Sequence, residues 1–278
     1  MSDNHQLHRV FVDIAGMVVC LEAEDDQLAA AVRGRYGLFL GAPPALLHIT
    51  LKTAPDALYI RPQAGPWVIE TRYRGRTLHY RSYLEEGRID FGAGRGQMTL
   101  APQAHVENFL RAVYAWLCLQ NGALLLHAAG VVRGGLGYAF FGPSGAGKST
   151  TARLSAASGE VVSDDLVILR SRAGGVRLHG VPFKGTYADV PRANQAAPLV
   201  GLFRLRQAKS HFLRPLGRPQ AVAHLVAQAP FVCREPALAA QLVSVCGRIA
   251  ELTPVMEMHF KPDEGFWKLI DEHLEPVP

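Results

Sequence analysis

Two groups of residues in this chain have the types and spacing for work on a phosphate. The stretch FFGPSGAGKST fits the pattern G-x-x-x-x-G-K-[ST] at Gly142, Gly147, Lys148 and Ser149. Gly142, Gly145 and Gly147 let the backbone bend so that several N–H groups point inward, with Ser144 and Ala146 between them and Thr150 after them. The helix that follows adds the positive end of its dipole, Lys148 a point charge, and Ser149 a hydroxyl able to ligate magnesium. Such a loop holds a nucleotide phosphate but leaves its fate open. Hydrolysis for motion, a GTP switch and transfer to another molecule all use it. The second group is Ser163-Asp164-Asp165, with Asp164 sixteen residues beyond Lys148. Taken alone, Ser-Asp-Asp is an ordinary acidic turn. Coupled to the loop, one carboxylate could hold a metal while the other accepts a hydroxyl proton. His127 ends the apolar run ALLLH, where a packed core histidine and a site residue are both open readings.

The elements that must position these groups can be read around them. ALLLHAAGVV and LGYAFFG flank Arg133-Gly134-Gly135, which predicts a tight hairpin, so the strand feeding the loop runs antiparallel to its predecessor. Common nucleotide switches and motors feed theirs from a parallel sheet. KSTTARLSAASGE leaves room for one short helix and a turn before the strand that carries the aspartates. Upstream, Val106, Phe109, Leu110, Val113, Trp116 and Leu117 recur at helical spacing, and Asn121-Gly122 is a stop signal. Residues 1–101 read as short strands and turns with one helix, DDQLAAAVRGRYGLFL, forming a β-rich region that could serve as a substrate platform. Residues 102–278 read as the nucleotide-binding domain. Near its end, two or more helices interrupted at Pro230 and Pro236 precede a strand, PVMEMHF, and an amphipathic helix with Phe266, Trp267 and Ile270 on its packing side.

The segments LLHAAGVV, YAFFGPSGAGKSTTARL and VVSDDLVIL resemble the catalytic domain of the HPr kinase/phosphorylase family, strongly over Leu124 to Leu169 and more weakly to about Phe260. The resemblance implies an α/β (α+β) fold with a phosphoenolpyruvate carboxykinase-like P-loop kinase core and a mixed sheet. It implies ATP and Mg2+ as cofactors, Lys148 on the β and γ phosphates, and Ser149 and Asp165 on the metal. Asp164 would be the general base, with His127 near it. Homo-oligomer formation is implied by analogy with the family's oligomers.

The departures from that family narrow the reading. The long basic signature segment that HPr kinases carry after the aspartates is missing, which puts HPr itself and phosphorylase activity in doubt. In its place stands LHGVPFKGTYADVPRANQ, whose GVPFKGT looks like the turn in smaller HPr-kinase-related kinases, some linked to peptide modification. His179, Lys184, Arg204 and Arg206 are candidates for contact with a phosphate or an acidic substrate group. As a group, the scattered Arg and Lys residues, among them Arg170, Arg172, Arg177, Arg204, Arg206 and Lys209, read as solvated faces.

Composition sets the outer limits. The chain has 278 residues, 49% hydrophobic and 19% charged, with a net charge of +5, enough for a large core in one or two domains. No basic cluster is dense enough to indicate nucleic acid. The four cysteines form no C-x-x-C pair and read as buried free thiols in a reducing compartment. No apolar run reaches membrane-spanning length, so a cytoplasmic protein without membrane contact is expected. No LSGGQ-like or N-K-x-D segment points to a transporter ATPase or GTPase, and no matching arginine set points to a carboxykinase. The sequence therefore predicts a kinase acting on a hydroxyl, Ser or Thr of a protein or peptide. A small-molecule kinase on the same fold and a regulatory or assembly protein that holds nucleotide without transfer are the alternatives.

Overall fold

The computed structural model describes residues 7–64, 67–185 and 193–274. Residues 186–192 of the segment after the aspartates lie outside them. The chain divides into two compact units, Met1–Tyr114 and Ala115–Pro278. Both are built on mixed sheets. Among the described residues, no helix is long and apolar enough to cross a membrane.

The first unit holds β1 (His8–Ile14), β2 (Met17–Ala23), α1 (Asp26–Arg35), β3 (Leu47–Thr53), β4 (Ile69–Arg74), β5 (Thr77–Ser82), β6 (Glu85–Asp90) and β7 (Arg95–Leu100). Their sheet order is β1-β2-β3-β7-β6-β5-β4. Ala15 and Gly16 both have positive φ, which closes β1 onto β2 in a two-residue turn. Asp25 caps α1 by accepting from the Leu28 N–H at 2.7 Å. That helix crosses over and makes β3 parallel to β2. Val10, Val12 and Ile14 alternate into the core, so the expected β-rich region with one helix is what forms.

Helix α2 (Glu107–Gln120) ends where Gly122 takes φ +64°, and the unit boundary falls within it. The second unit continues with β8 (Ala123–Arg133), β9 (Leu136–Phe141), α3 (Lys148–Ser155), β10 (Glu160–Ser163), β11 (Leu166–Arg172), β12 (Gly175–His179), β13 (Ala196–Gln207) and β14 (Phe212–Pro215). Then come α4 (Arg218–Ala227), α5 (Ala239–Leu252), β15 (Val255–Phe260) and α6 (Gly265–His273). The hairpin at Gly134-Gly135 forms as the sequence predicts, with β9 antiparallel to β8. The other edge of β9 pairs with β13 in parallel, which no local signal announced.

Two long strands hold this sheet together by changing partners along their length. β8 pairs with β11 over its first half and with β9 over its second, while β10 takes the edge opposite β9. β13 pairs with β12 at its start, then with β9 and β15. The pairings β8–β11–β12–β13–β9–β8 therefore close a ring. One face carries Ala129, Val131, Phe140, Phe203, Leu205, Met258 and Phe260, covered by Ala152 of α3 and by Phe266, Trp267 and Ile270 of α6. Phe140 stacks on Phe203 at 5.3 Å between ring centres and meets Trp267 edge-on at 5.7 Å. Each buried aromatic of this kind is worth about 1.5–3 kcal/mol. The Trp267 indole also donates to Ser155 Oγ at 3.2 Å, tying α6 to the last residue of α3. The phosphate-loop helix is thus clamped from behind.

Candidate functional site

The loop between β9 and α3 has the backbone of a cradle. Gly142, Gly145 and Gly147 have φ of +155°, +78° and +110°, and Gly147 is the residue before the first helical turn. A Cβ at Gly147 would lie 2.6 Å from Phe260 Cζ, so both its conformation and its packing require glycine. The Ala146 N–H donates to the Pro143 carbonyl at 3.1 Å, and Thr151 bonds back to the Gly147 carbonyl through its N–H and its hydroxyl. Ser144 and Gly145 are exposed, while Ser149 and Thr150 are half-buried on the first turn of α3. Lys148 is buried and folds back over the loop, its Nζ donating to the Gly142 carbonyl at 2.9 Å and the Pro143 carbonyl at 3.3 Å. Burial pushes this ammonium below its ordinary pKa, and the charge of Asp165 offsets part of that. Gln207, which carries no motif signal, donates to the Gly145 carbonyl at 2.8 Å from the end of β13.

Asp164 and Asp165 fill the two-residue gap between β10 and β11. Those strands run along one edge of β8; the register shifts between Val161 and Ser163 and then holds across the aspartates, with Ser163 opposite Gly130 and Leu166 opposite His127. Ser163 Oγ accepts from the N–H groups of Asp165 and Leu166 at 3.3 and 3.2 Å, fixing the turn that presents both carboxylates. On the opposite edge of β8, Ala128 is the partner of Phe141, the residue before Gly142. The Ala128 N–H donates to the Asp165 carbonyl at 3.0 Å. One residue therefore borders both the loop and the aspartates, and two strand spacings, about 10 Å, separate them across the sheet. This is the scale on which a phosphate chain and its metal could bridge the two groups.

The hairpin reading puts His127 near the nucleotide's terminal phosphate or the aspartate pair, and the resemblance implies a place near Asp164. Its Nε2 lies 3.2 Å from Asp165 Oδ1, with its backbone N–H held by the Gln228 carbonyl at 2.9 Å. Asp164 is the more deeply buried of the pair, 6% exposed. It sits under Gly185, where a Cβ would come within 2.6 and 2.7 Å of its two carboxylate oxygens. The GVPFKG turn thus closes directly over Asp164, a contact that motif reading did not reveal. Lys184 in this turn is exposed. His179 is pushed down to about 4 by burial and then by Arg177, Arg170 and Arg172, so it is neutral at pH 7 and offers a hydrogen bond rather than a charge. Two arginines depart from the solvated-face reading. Arg170 is 7% exposed, and the Arg204 side chain is 15% exposed. Ser149 and Asp165, the residues expected to hold a metal, offer oxygen only, and such hard donors suit Mg2+.

A family model matches residues 103–252, more than half of the chain, and its description is ScmC, SynChlorMet cassette protein ScmC. The chain belongs to the ScmC family. The match takes in the loop, both aspartates, His127, the GVPFKG turn and Gln207. Among solved structures, this ScmC-family chain is similar to the Hpr(Ser) kinase/phosphatase from Coxiella burnetii, at 14% identity and a TM-score of 0.32. That likeness covers 54% of this chain and 95% of the other. No curated protein matches.

Proposed function

We propose that this ScmC-family chain is an ATP- and Mg2+-dependent kinase, HPr-kinase-related and phosphoenolpyruvate carboxykinase-like in its core, that transfers the γ-phosphoryl group to a Ser or Thr hydroxyl of a protein or peptide. The observation that carries the reading is the position of Ala128, with the phosphate loop on one side and the aspartate pair on the other. One carboxylate at that level could serve a metal in storage and transfer alike; the second is placed to take the acceptor's proton, a role that storage alone does not need. In the proposed reaction Lys148 and the loop amides hold the β and γ phosphates. The acceptor hydroxyl attacks the γ-phosphorus, its proton passes to Asp164, and the bond to the bridging oxygen of the departing ADP breaks. Ser149 and Asp165 would hold Mg2+, which when bound would supply charge neutralisation. His127 orients the Asp165 carboxylate. Most of the rate arises from positioning and fixed charge, as is general for phosphoryl transfer. The family's description as a cassette protein fits an acceptor supplied by a companion product.

The test uses the purified chain and its Asp164→Asn variant with γ-labelled ATP and Mg2+, with peptide and host-lysate acceptors. Labelling of one acceptor by the parent and not by the variant supports the kinase. Equal nucleotide binding by both, with no transfer to any acceptor, favours the regulatory reading. Lys148→Ala is expected to weaken nucleotide binding, and unchanged affinity would refute the phosphate-loop assignment.

A further inference from the structure

Glu257 on β15 is 3% exposed, and four basic side chains converge on it. Arg204 Nη1 and Arg206 Nε reach Oε2 at 2.5 and 2.8 Å, while Arg214 Nη2 and His259 Nε2 reach Oε1 at 2.9 and 3.0 Å. The sheet register produces this convergence. Arg204 on β13 and Arg214 on β14 both stand opposite Glu257, and Arg206 stands opposite His259. Burial alone would raise the Glu257 carboxyl. The bonds from His259 and Arg206, with the charges of Arg206 and Arg204, instead hold it at about 2. Glu257 is therefore ionised throughout the neutral range, and three guanidinium groups share its one negative charge. The surplus reaches His224 on α4, whose pKa is lowered by burial first and by Arg204 second.

One arginine would balance a buried carboxylate, and two more bring like charges together at a cost in stability. The extra pair faces water. The Arg206 and Arg214 side chains are 52% and 63% exposed, and each bonds Glu257 through one nitrogen, turning the rest of its donor fork outward. Phe212, itself exposed, stacks on His259 at 4.1 Å and forms an apolar shoulder to the cluster. The patch borders the phosphate loop, since Arg204 is the β13 partner of Phe141 and Gln207 bonds Gly145. Side chains alternate along β13, and Phe203 and Leu205 lie on the face covered by α3 and α6. Arg204 and Arg206 consequently occupy the other face, away from the helix that would carry the nucleotide.

We propose that the Arg204–Arg206–Arg214 cluster, oriented by Glu257, binds carboxylate side chains of an acidic acceptor peptide at a distance along the peptide from its accepting hydroxyl. This rests on the kinase reading and supplies its substrate class. The nucleotide's phosphates are the other possible anion, but the loop and Lys148 already serve them from the opposite face.

A fluorescein-labelled peptide of six glutamates and one serine serves as probe, read by anisotropy at low and high salt. Arg206→Ala/Arg214→Ala is expected to fold, because both side chains are largely exposed, and circular dichroism checks this. Peptide binding should weaken roughly tenfold or more per arginine, the scale of a charge-assisted hydrogen bond. Nucleotide affinity should stay unchanged. Arg88→Ala, an exposed change on β6, should leave peptide affinity as it was, and Lys148→Ala should lose nucleotide and keep the peptide. Equal peptide affinity in parent and double variant overturns the proposal. So does a double variant that loses nucleotide instead, since the cluster would then serve the nucleotide's phosphates. An absence of phosphoryl transfer refutes the kinase reading separately, because peptide binding is measured without turnover.

Discussion

Replacing Gly185 by alanine tests whether the GVPFKG turn belongs to the catalytic apparatus. The added Cβ would lie 2.6 and 2.7 Å from the Asp164 carboxylate oxygens and 2.7 Å from Asp165 Cβ. The shortest of these falls about 0.8 Å below the 3.4 Å at which ordinary van der Waals contact begins. Asp164 is a short, buried side chain, so it cannot swing aside as a lysine would, and either the turn or the aspartate pair must move. Overpacking of this kind costs about 1–3 kcal/mol of stability. A displacement near 1 Å at a reacting group costs about 100-fold in rate. Phosphoryl transfer should therefore fall by about two orders of magnitude while affinity for nucleotide without Mg2+ holds, because the loop is untouched. The assay pairs single-turnover consumption of labelled ATP, in the presence of an acceptor, with nucleotide titration and a thermal melt. Gly217→Ala is the control, since a Cβ there meets nothing within 4 Å. A folded Gly185→Ala protein with the parent's transfer rate would refute the placement of this turn over the reacting aspartate.

Acid should expose the arginine-bound carboxylate. Glu257 is held at about 2 against an ordinary 4.5, so its stabilisation is fully present above pH 4.5 and is lost as pH falls from there through about 2. The shift corresponds to about 3 kcal/mol, and urea midpoints across this range should decline less steeply in Glu257→Gln than in the parent. A parallel decline would mean that other carboxylates dominate. Thiol reactivity offers a check on the core: Cys233 is exposed, whereas burial raises Cys20 to about 11, Cys246 to about 12 and Cys118 further. One thiol should react rapidly with a disulfide reagent in the native protein and all four in denaturant, and a second fast thiol would contradict the packing.

Local chemistry makes parts of this molecule legible in its sequence. Gly134-Gly135 can only be a tight turn between two apolar runs, and the glycine spacing of Gly142, Gly145 and Gly147 specifies positive φ where the structure has it. The apolar stripe of α6 likewise announced its burial. What the sequence hid depends on partners distant along the chain. Arg204 and Arg206 look like solvated residues until β15 brings Glu257 beneath them and β14 adds Arg214. The parallel pairing of β9 with β13 has no turn to betray it. Cys233 follows neither its neighbours nor the buried-thiol expectation, because it lies between helices where no apolar periodicity covers it.

The register that β8 keeps between Gly130 and His127, past the aspartates, has a consequence for how this site tolerates change. The residues between Lys148 and Asp164 look like a measuring tape, yet the carboxylates are located by their cross-strand neighbours, Gly130 on one side of the pair and His127 on the other. Residues added to or removed from the connection after α3 would be absorbed as a longer or shorter surface excursion, leaving the acidic pair where it is. A single residue inserted into β8 between His127 and Gly130 would slide the loop and the aspartates out of step with each other. Length variation is thus affordable in the linker and forbidden in the strand, the reverse of what the motif's apparent spacing suggests.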